Sequence, residues 1–135
     1  MTLRTTAQEM GRGGHATILI VEDDPVLREF LCTAMADEFE VVAAVTGEEA
    51  VELARRLRPD AVLLDVMLPG LSGLDVVRQI RADEELKDTP VLVMTAFSDI
   101  DPSEAEAAGA DRFLSKPFDL LELTETVRAL IGQDR

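Results

Sequence analysis

Five short apolar runs, each followed by a segment with helix-start chemistry, constrain this chain more than any other feature. The runs are Thr17–Val21, Phe39–Ala44, Asp60–Leu64, Pro90–Met94 and Asp111–Leu114. They are four to six residues long and rich in Val, Ile and Leu, as strands buried on both faces are. Between them the helix signals recur. Asp24 before Pro25 reads as an N-cap and first helical position, opening a helix to about Ala36. Thr46 with Glu49 reads as a capping box for a helix to about Leu57, and Ser72 with Asp75 repeats the pattern. Asp101-Pro102 with Glu104 opens a shorter helix that Gly109 ends, and Asp119 with Glu122 opens the last one. Strand–helix alternation of this kind predicts parallel strands joined by helical crossovers, packed as a three-layer α/β/α sandwich. Residues 1–16 lack a periodic pattern and read as a flexible tail. The folded domain is expected over 17–131, with 132–135 as a short terminal tail.

Composition narrows the function. With 13 basic against 27 acidic residues the net charge is −14, which lacks the cationic footprint of a nucleic-acid binder and disfavours anionic membranes. Five Phe and no Trp or Tyr make base-stacking platforms a poor expectation. The lone Cys32 excludes an internal disulfide and reads as inert packing, and His15 belongs to the tail. No apolar run is long enough to span a bilayer, and no secretory signal precedes the domain, so a cytoplasmic location is expected.

The polar residues that follow the strands carry the chemistry. Glu22-Asp23-Asp24 follows the first strand, Asp65 the third, Thr95 the fourth and Ser115-Lys116-Pro117 the fifth. Parallel strands put all these ends on one edge, and ligands of such sheets bind where the strand order reverses. A 2-1-3-4-5 order would bring Glu22, Asp23 and Asp65 together. Three converging carboxylates demand either protonation or a divalent cation, and hard oxygen ligands suit Mg²⁺. A carboxylate beside such a cation and an ammonium can attack a phosphoryl group, giving an acyl phosphate. Lys116 and the Thr95 hydroxyl are placed to hold the phosphoryl oxygens.

The segments Ile18–Pro25, Leu63–Gly73, Met94-Thr95-Ala96, Gly109-Ala110-Asp111 and Lys116-Pro117-Phe118 resemble the receiver domain of two-component response regulators, from about Thr17 to Ile131. The resemblance implies a flavodoxin-like (βα)5 fold with a five-stranded parallel sheet in the order 2-1-3-4-5. It implies that Asp65 is the phosphoacceptor, taking a phosphoryl group from a histidine kinase or phosphotransfer protein. Asp23 would be the direct Mg²⁺ ligand of the acidic pair and Glu22 a ligand through water, Asp65 would also hold the ion, and the Met67 backbone carbonyl would be the third protein ligand, with Mn²⁺ as an alternative ion. Thr95 would be the switch hydroxyl, Phe113 the switch aromatic, and Lys116 the phosphoryl-contacting lysine, with Lys116-Pro117 cis. The face of the fourth helix, fifth strand and fifth helix would meet a downstream protein, an output domain or a second copy of the chain, and the first helix would dock the kinase. Glu at the first acidic position and Phe for the frequent Tyr at 113 are departures from the pattern.

Met67 and Phe97, two residues past Asp65 and Thr95, carry no group that could orient an attacking water, so a long-lived phosphoaspartate is expected. The chain reads as a single-domain regulator or as a receiver excised from a longer one. Two other classes fit less well. An aspartate-nucleophile phosphatase wants a second Asp two residues after the first, where Asp65 has Met67. A flavin or nucleotide module wants a Gly-rich loop after the first strand, where three acids stand.

Overall fold

The computed structural model describes residues 15–96 and 98–133. Ten elements alternate: β1 (Thr17–Val21), α1 (Pro25–Met35), β2 (Glu40–Ala44), α2 (Gly47–Leu57), β3 (Ala61–Leu64), α3 (Gly73–Ala82), β4 (Val91–Thr95), α4 (Pro102–Ala108), β5 (Arg112–Ser115) and α5 (Leu120–Gln133). The strands form one sheet in the order β2-β1-β3-β4-β5, and every pairing is parallel. The expected topology and the helix starts are therefore present.

Side chains alternate across a strand, and this sheet uses the alternation to build two cores. Leu19, Val21, Val62, Leu64, Val91 and Val93 face α2, α3 and α4, meeting Ala50, Ala54, Val76, Val77, Ile80 and Ala105. Ile18, Ile20, Ala61, Leu63, Leu92 and Met94 face α1 and α5, meeting Leu31, Met35, Leu123, Val127 and Leu130. Each fully buried Leu, Ile or Val stabilises the fold by about 1.5–3 kcal/mol relative to exposure. Neither face of β1, β3 and β4 meets water, so all their residues are buried and, apart from Thr17 and Thr95, apolar.

Three expectations need correction. The edge strands β2 and β5 are only partly buried, because each has a neighbour on one side alone. Thr95 and Ser115 close β4 and β5 rather than following them. The Thr46 cap is not reciprocal: Thr46 Oγ1 accepts the Glu49 N–H at 3.1 Å, but the Glu49 carboxylate accepts from Val45 at 2.8 Å. A reciprocal box does form at α4, where Asp101 and Glu104 satisfy each other's N–H groups and Gly109 ends the helix at φ +113°. Helix α5 runs two residues past Ile131. Among the described residues no helix is long and apolar enough to cross a membrane.

Candidate functional site

The carboxyl ends of β1, β3, β4 and β5 share one edge of the sheet, and each contributes at least one polar residue there. Pairing of β1 with β3 aligns Val21 with Leu64, so the next residues, Glu22 and Asp65, emerge side by side. The Asp65 N–H holds this register by donating to the Val21 carbonyl at 3.2 Å. Lys116 follows β5, and its own N–H donates to the Thr95 carbonyl at 2.9 Å. Its ammonium crosses the edge to donate to Asp65 Oδ2 at 2.6 Å and to Glu22 Oε1 at 3.1 Å. The Lys116-Pro117 bond is cis.

Both carboxylates are buried, with Glu22 at 1% and Asp65 at 6% exposure. Their remaining oxygens are satisfied locally. Asp65 Oδ1 accepts the Met67 N–H at 3.0 Å, and Glu22 Oε2 accepts the Asp24 N–H at 3.1 Å. Burial raises the Glu22 carboxyl above its ordinary range, against the lowering pull of the Asp24 N–H and the Lys116 ammonium. Burial alone would lower Lys116, but the hydrogen bond and charge of Asp65, and then Glu22, outweigh it and raise the amine. One ammonium thus serves two buried carboxylates, which leaves a net negative charge in the pocket.

Two of the three acids share one cation. Glu22 and Asp65 meet at Lys116, whereas Asp23 is exposed at the rim. Among the described residues no three His, Cys, Asp or Glu side chains are grouped so as to hold a metal ion. The expected ligand set asks for less, two direct carboxylates (Asp23 and Asp65) and one backbone carbonyl (Met67). Its donors are all hard oxygens beside an under-neutralised buried pair, so the residues present suit Mg²⁺ by charge and chemistry. The Met67 side chain is 58% exposed. Phe97 lies outside the described residues.

Thr95 is wholly buried, and its hydroxyl donates to Asp99 Oδ2 at 3.2 Å. Phe113 stands opposite Val93 on β5, packs against the α2–α3–α4 core and lines a groove of ≈ 280 Å³ with Pro102, Ala105 and Ala110.

Two residues at the site escaped the sequence reading. Arg28, in the first turn of α1, donates from Nη1 to the carbonyls of Glu22 at 3.0 Å and Asp23 at 3.2 Å, pinning the acidic turn. Its signal was spacing, since a long basic side chain one turn into a helix can reach back over the loop that precedes it. Asp99, four residues past Thr95, had only its charge to mark it.

A family model described as the response regulator receiver domain matches residues 18–128. The chain is 45% identical over 120 residues to the response regulator MprA of Mycobacterium leprae, covering 87% of this chain and 52% of that protein. It is 43% identical over 119 residues to the DNA-binding response regulator MtrA of Mycolicibacterium smegmatis, covering 87% and 51%. The chain thus spans about half the length of the curated relatives it matches. Among solved structures, the receiver domain of sensor histidine kinase PA1611 from Pseudomonas aeruginosa, with a magnesium ion coordinated in its active site cleft, matches at TM-score 0.81. Its identity is 34%, over 87% of this chain and 98% of that one. The chemotaxis response regulator CheY4 of Vibrio cholerae matches at TM-score 0.80 and 31% identity, over 86% and 98%.

Proposed function

The chain belongs to the response regulator receiver family of two-component signalling systems, and from that premise we propose that it accepts a phosphoryl group on Asp65. The observation that carries this reading is the Lys116 ammonium, shared between the Asp65 and Glu22 carboxylates at the ends of two neighbouring strands. The donor is the phosphohistidine of a sensor histidine kinase or phosphotransfer protein, and small phosphodonors serve as well.

The positions of the groups support the following step. A carboxylate oxygen of Asp65 forms a bond to phosphorus. The bond from phosphorus to the donor nitrogen breaks, and its electron pair stays on the imidazole. Lys116 is already within hydrogen-bond distance of Oδ2 and turns its charge to the transferred phosphoryl oxygens. The Met67 N–H on Oδ1 keeps the carboxylate plane fixed. Asp23, Asp65 and the Met67 carbonyl would hold Mg²⁺ directly and Glu22 through water. When bound, the ion neutralises phosphoryl charge and fixes its orientation; Mn²⁺ has the same donor preference.

Phosphorylation biases a two-state equilibrium. The Thr95 hydroxyl moves onto the phosphoryl group, and the Phe113 ring turns inward behind it. The change is read on the face of α4, β5 and α5, which receives a downstream protein, an output domain or a second copy of the chain. Helix α1, beside the acidic turn, docks the donor. As an enzyme the chain acts only on itself, through phosphorylation and slow hydrolysis of the phosphoaspartate, slowed by the apolar Met67 and Phe97. Its acidic balance argues against direct contact with nucleic acid or membranes, and its lone cysteine agrees with the cytoplasm.

Binding of beryllofluoride, a phosphoryl mimic, tests this reading. Wild-type protein binds it only with Mg²⁺, and Asp65→Asn abolishes the response. Binding that ignores Asp65 overturns the assignment.

A further inference from the structure

The Thr95 hydroxyl carries one proton, and in this structure that proton is committed to Asp99. Asp99 turns back toward the strand end by donating its N–H to the Ala96 carbonyl at 2.9 Å, which places its carboxylate over Thr95. The hydroxyl cannot donate to Asp99 and to a phosphoryl group on Asp65 at once. We propose that Asp99 is a positioning residue that latches the Thr95 hydroxyl in the resting state, so that switching requires this hydrogen bond to break. The proposal rests on the reading of Thr95 as the group that moves onto the phosphoryl.

The latch has a structural reach. Two residues beyond Asp99, Asp101 caps α4 through its reciprocal box with Glu104. The segment that holds the hydroxyl therefore leads directly into the helix of the signalling face. Releasing Asp99 frees both the hydroxyl and that lead-in. A residue that stabilises only the resting state lowers the apparent affinity of any ligand that needs the other state.

Beryllofluoride titration with Mg²⁺ tests the latch in wild type, Asp99→Ala, Asp99→Asn, Thr95→Ala and the Thr95→Ala/Asp99→Ala double variant, with thermal melting to confirm that each is folded. Asp99→Ala is expected to tighten apparent binding about three- to tenfold, the scale of the net contribution of one intramolecular hydrogen bond. Asp99→Asn removes the same charge but keeps a carbonyl acceptor, so its gain is smaller. In the Thr95→Ala background Asp99→Ala changes nothing, because the hydrogen bond is already gone. Unchanged or weaker binding by Asp99→Ala overturns the latch. So does an equal gain in Asp99→Asn, or a gain that survives in the Thr95→Ala background, since either reports simple loss of charge. Absence of Asp65-dependent binding in the wild type defeats the phosphoacceptor reading and the latch with it. Asp65-dependent binding that ignores Asp99 defeats the latch alone.

Discussion

Lys116 Nζ lies 2.6 Å from Asp65 Oδ2, although 51 positions separate the two residues in the chain. The contact exists because β3, β4 and β5 run in parallel and end on one edge, so that residues following β3 and β5 meet across β4. It also carries an electrostatic burden, since the same ammonium neutralises buried Glu22. Removing the cation strands two carboxylates, and removing either carboxylate leaves the other paired.

Lys116→Met keeps the apolar stem and deletes the charge. In the absence of divalent cation it is expected to cost about 2–3 kcal/mol in denaturant unfolding. That is below the value for a fully buried pair because Lys116 still reaches solvent. An unfolding midpoint equal to wild type contradicts the claim that this ammonium holds the pocket together.

Gly73 opens α3 directly beneath Asp65. A β-carbon there would lie 2.2 Å from the Asp65 carbonyl oxygen and 2.7 Å from the Val66 α-carbon, and neither is a flexible atom. Gly73→Ala is expected to destabilise by about 3 kcal/mol or more and to impair phosphoryl acceptance by displacing Asp65. Gly132→Ala meets nothing within 4 Å near the end of α5, and is expected to be neutral or to stabilise by up to about 1 kcal/mol. Thermal melts of both variants check the contrast, and equal effects would refute it.

Mg²⁺ bound to the folded chain alone must stabilise it by mass action. At one hundred times its dissociation constant the gain is about 2.7 kcal/mol, visible as a rise in Tm that chelation reverses. Asp23→Asn removes the proposed rim ligand and should abolish most of that rise while leaving the metal-free Tm close to wild type. A Mg²⁺ response unaffected by Asp23→Asn excludes Asp23 as a direct ligand.

Far from the site, Arg128 on α5 grips Glu38 with two hydrogen bonds of 2.7 Å. The guanidinium holds the Glu38 carboxyl below its ordinary value of 4.5. A carboxyl lowered by folding stabilises the protein above its unfolded value and loses that contribution as pH falls through the folded one. Glu38→Gln should therefore lower Tm slightly at pH 7 and converge on wild type as the pH falls well below 4.5. A Tm difference that is the same at pH 7 and in acid contradicts this pairing.

Much of this architecture is legible in the residues themselves. Thr17–Val21 reads as a buried strand because every position is apolar or β-branched, and Asp24-Pro25 and Asp101-Pro102 mark helix starts because capping chemistry is local. The half-exposed edges β2 and β5 were harder, since apolar content alone does not tell which strand has one neighbour. The site's backbone of Asp65, Glu22, Thr95 and Lys116 follows from the shared strand edge. Arg28 and Asp99 do not, because a long side chain bending back and a turn folding over a strand end are decided by three-dimensional packing. Asp23 was expected among the converging acids, yet its carboxylate is exposed. The Lys116 ammonium reaches Glu22 and Asp65 alone of the three.

Phosphoryl acceptance by Asp65 is tested most directly by peptide mapping with mass spectrometry after incubation with acetyl phosphate and Mg²⁺. One added phosphoryl group is expected, located on the peptide containing Asp65, absent without divalent cation and absent in Asp65→Asn. A phosphoryl group found on another residue, or an Asp65→Asn variant that is still modified, would contradict it.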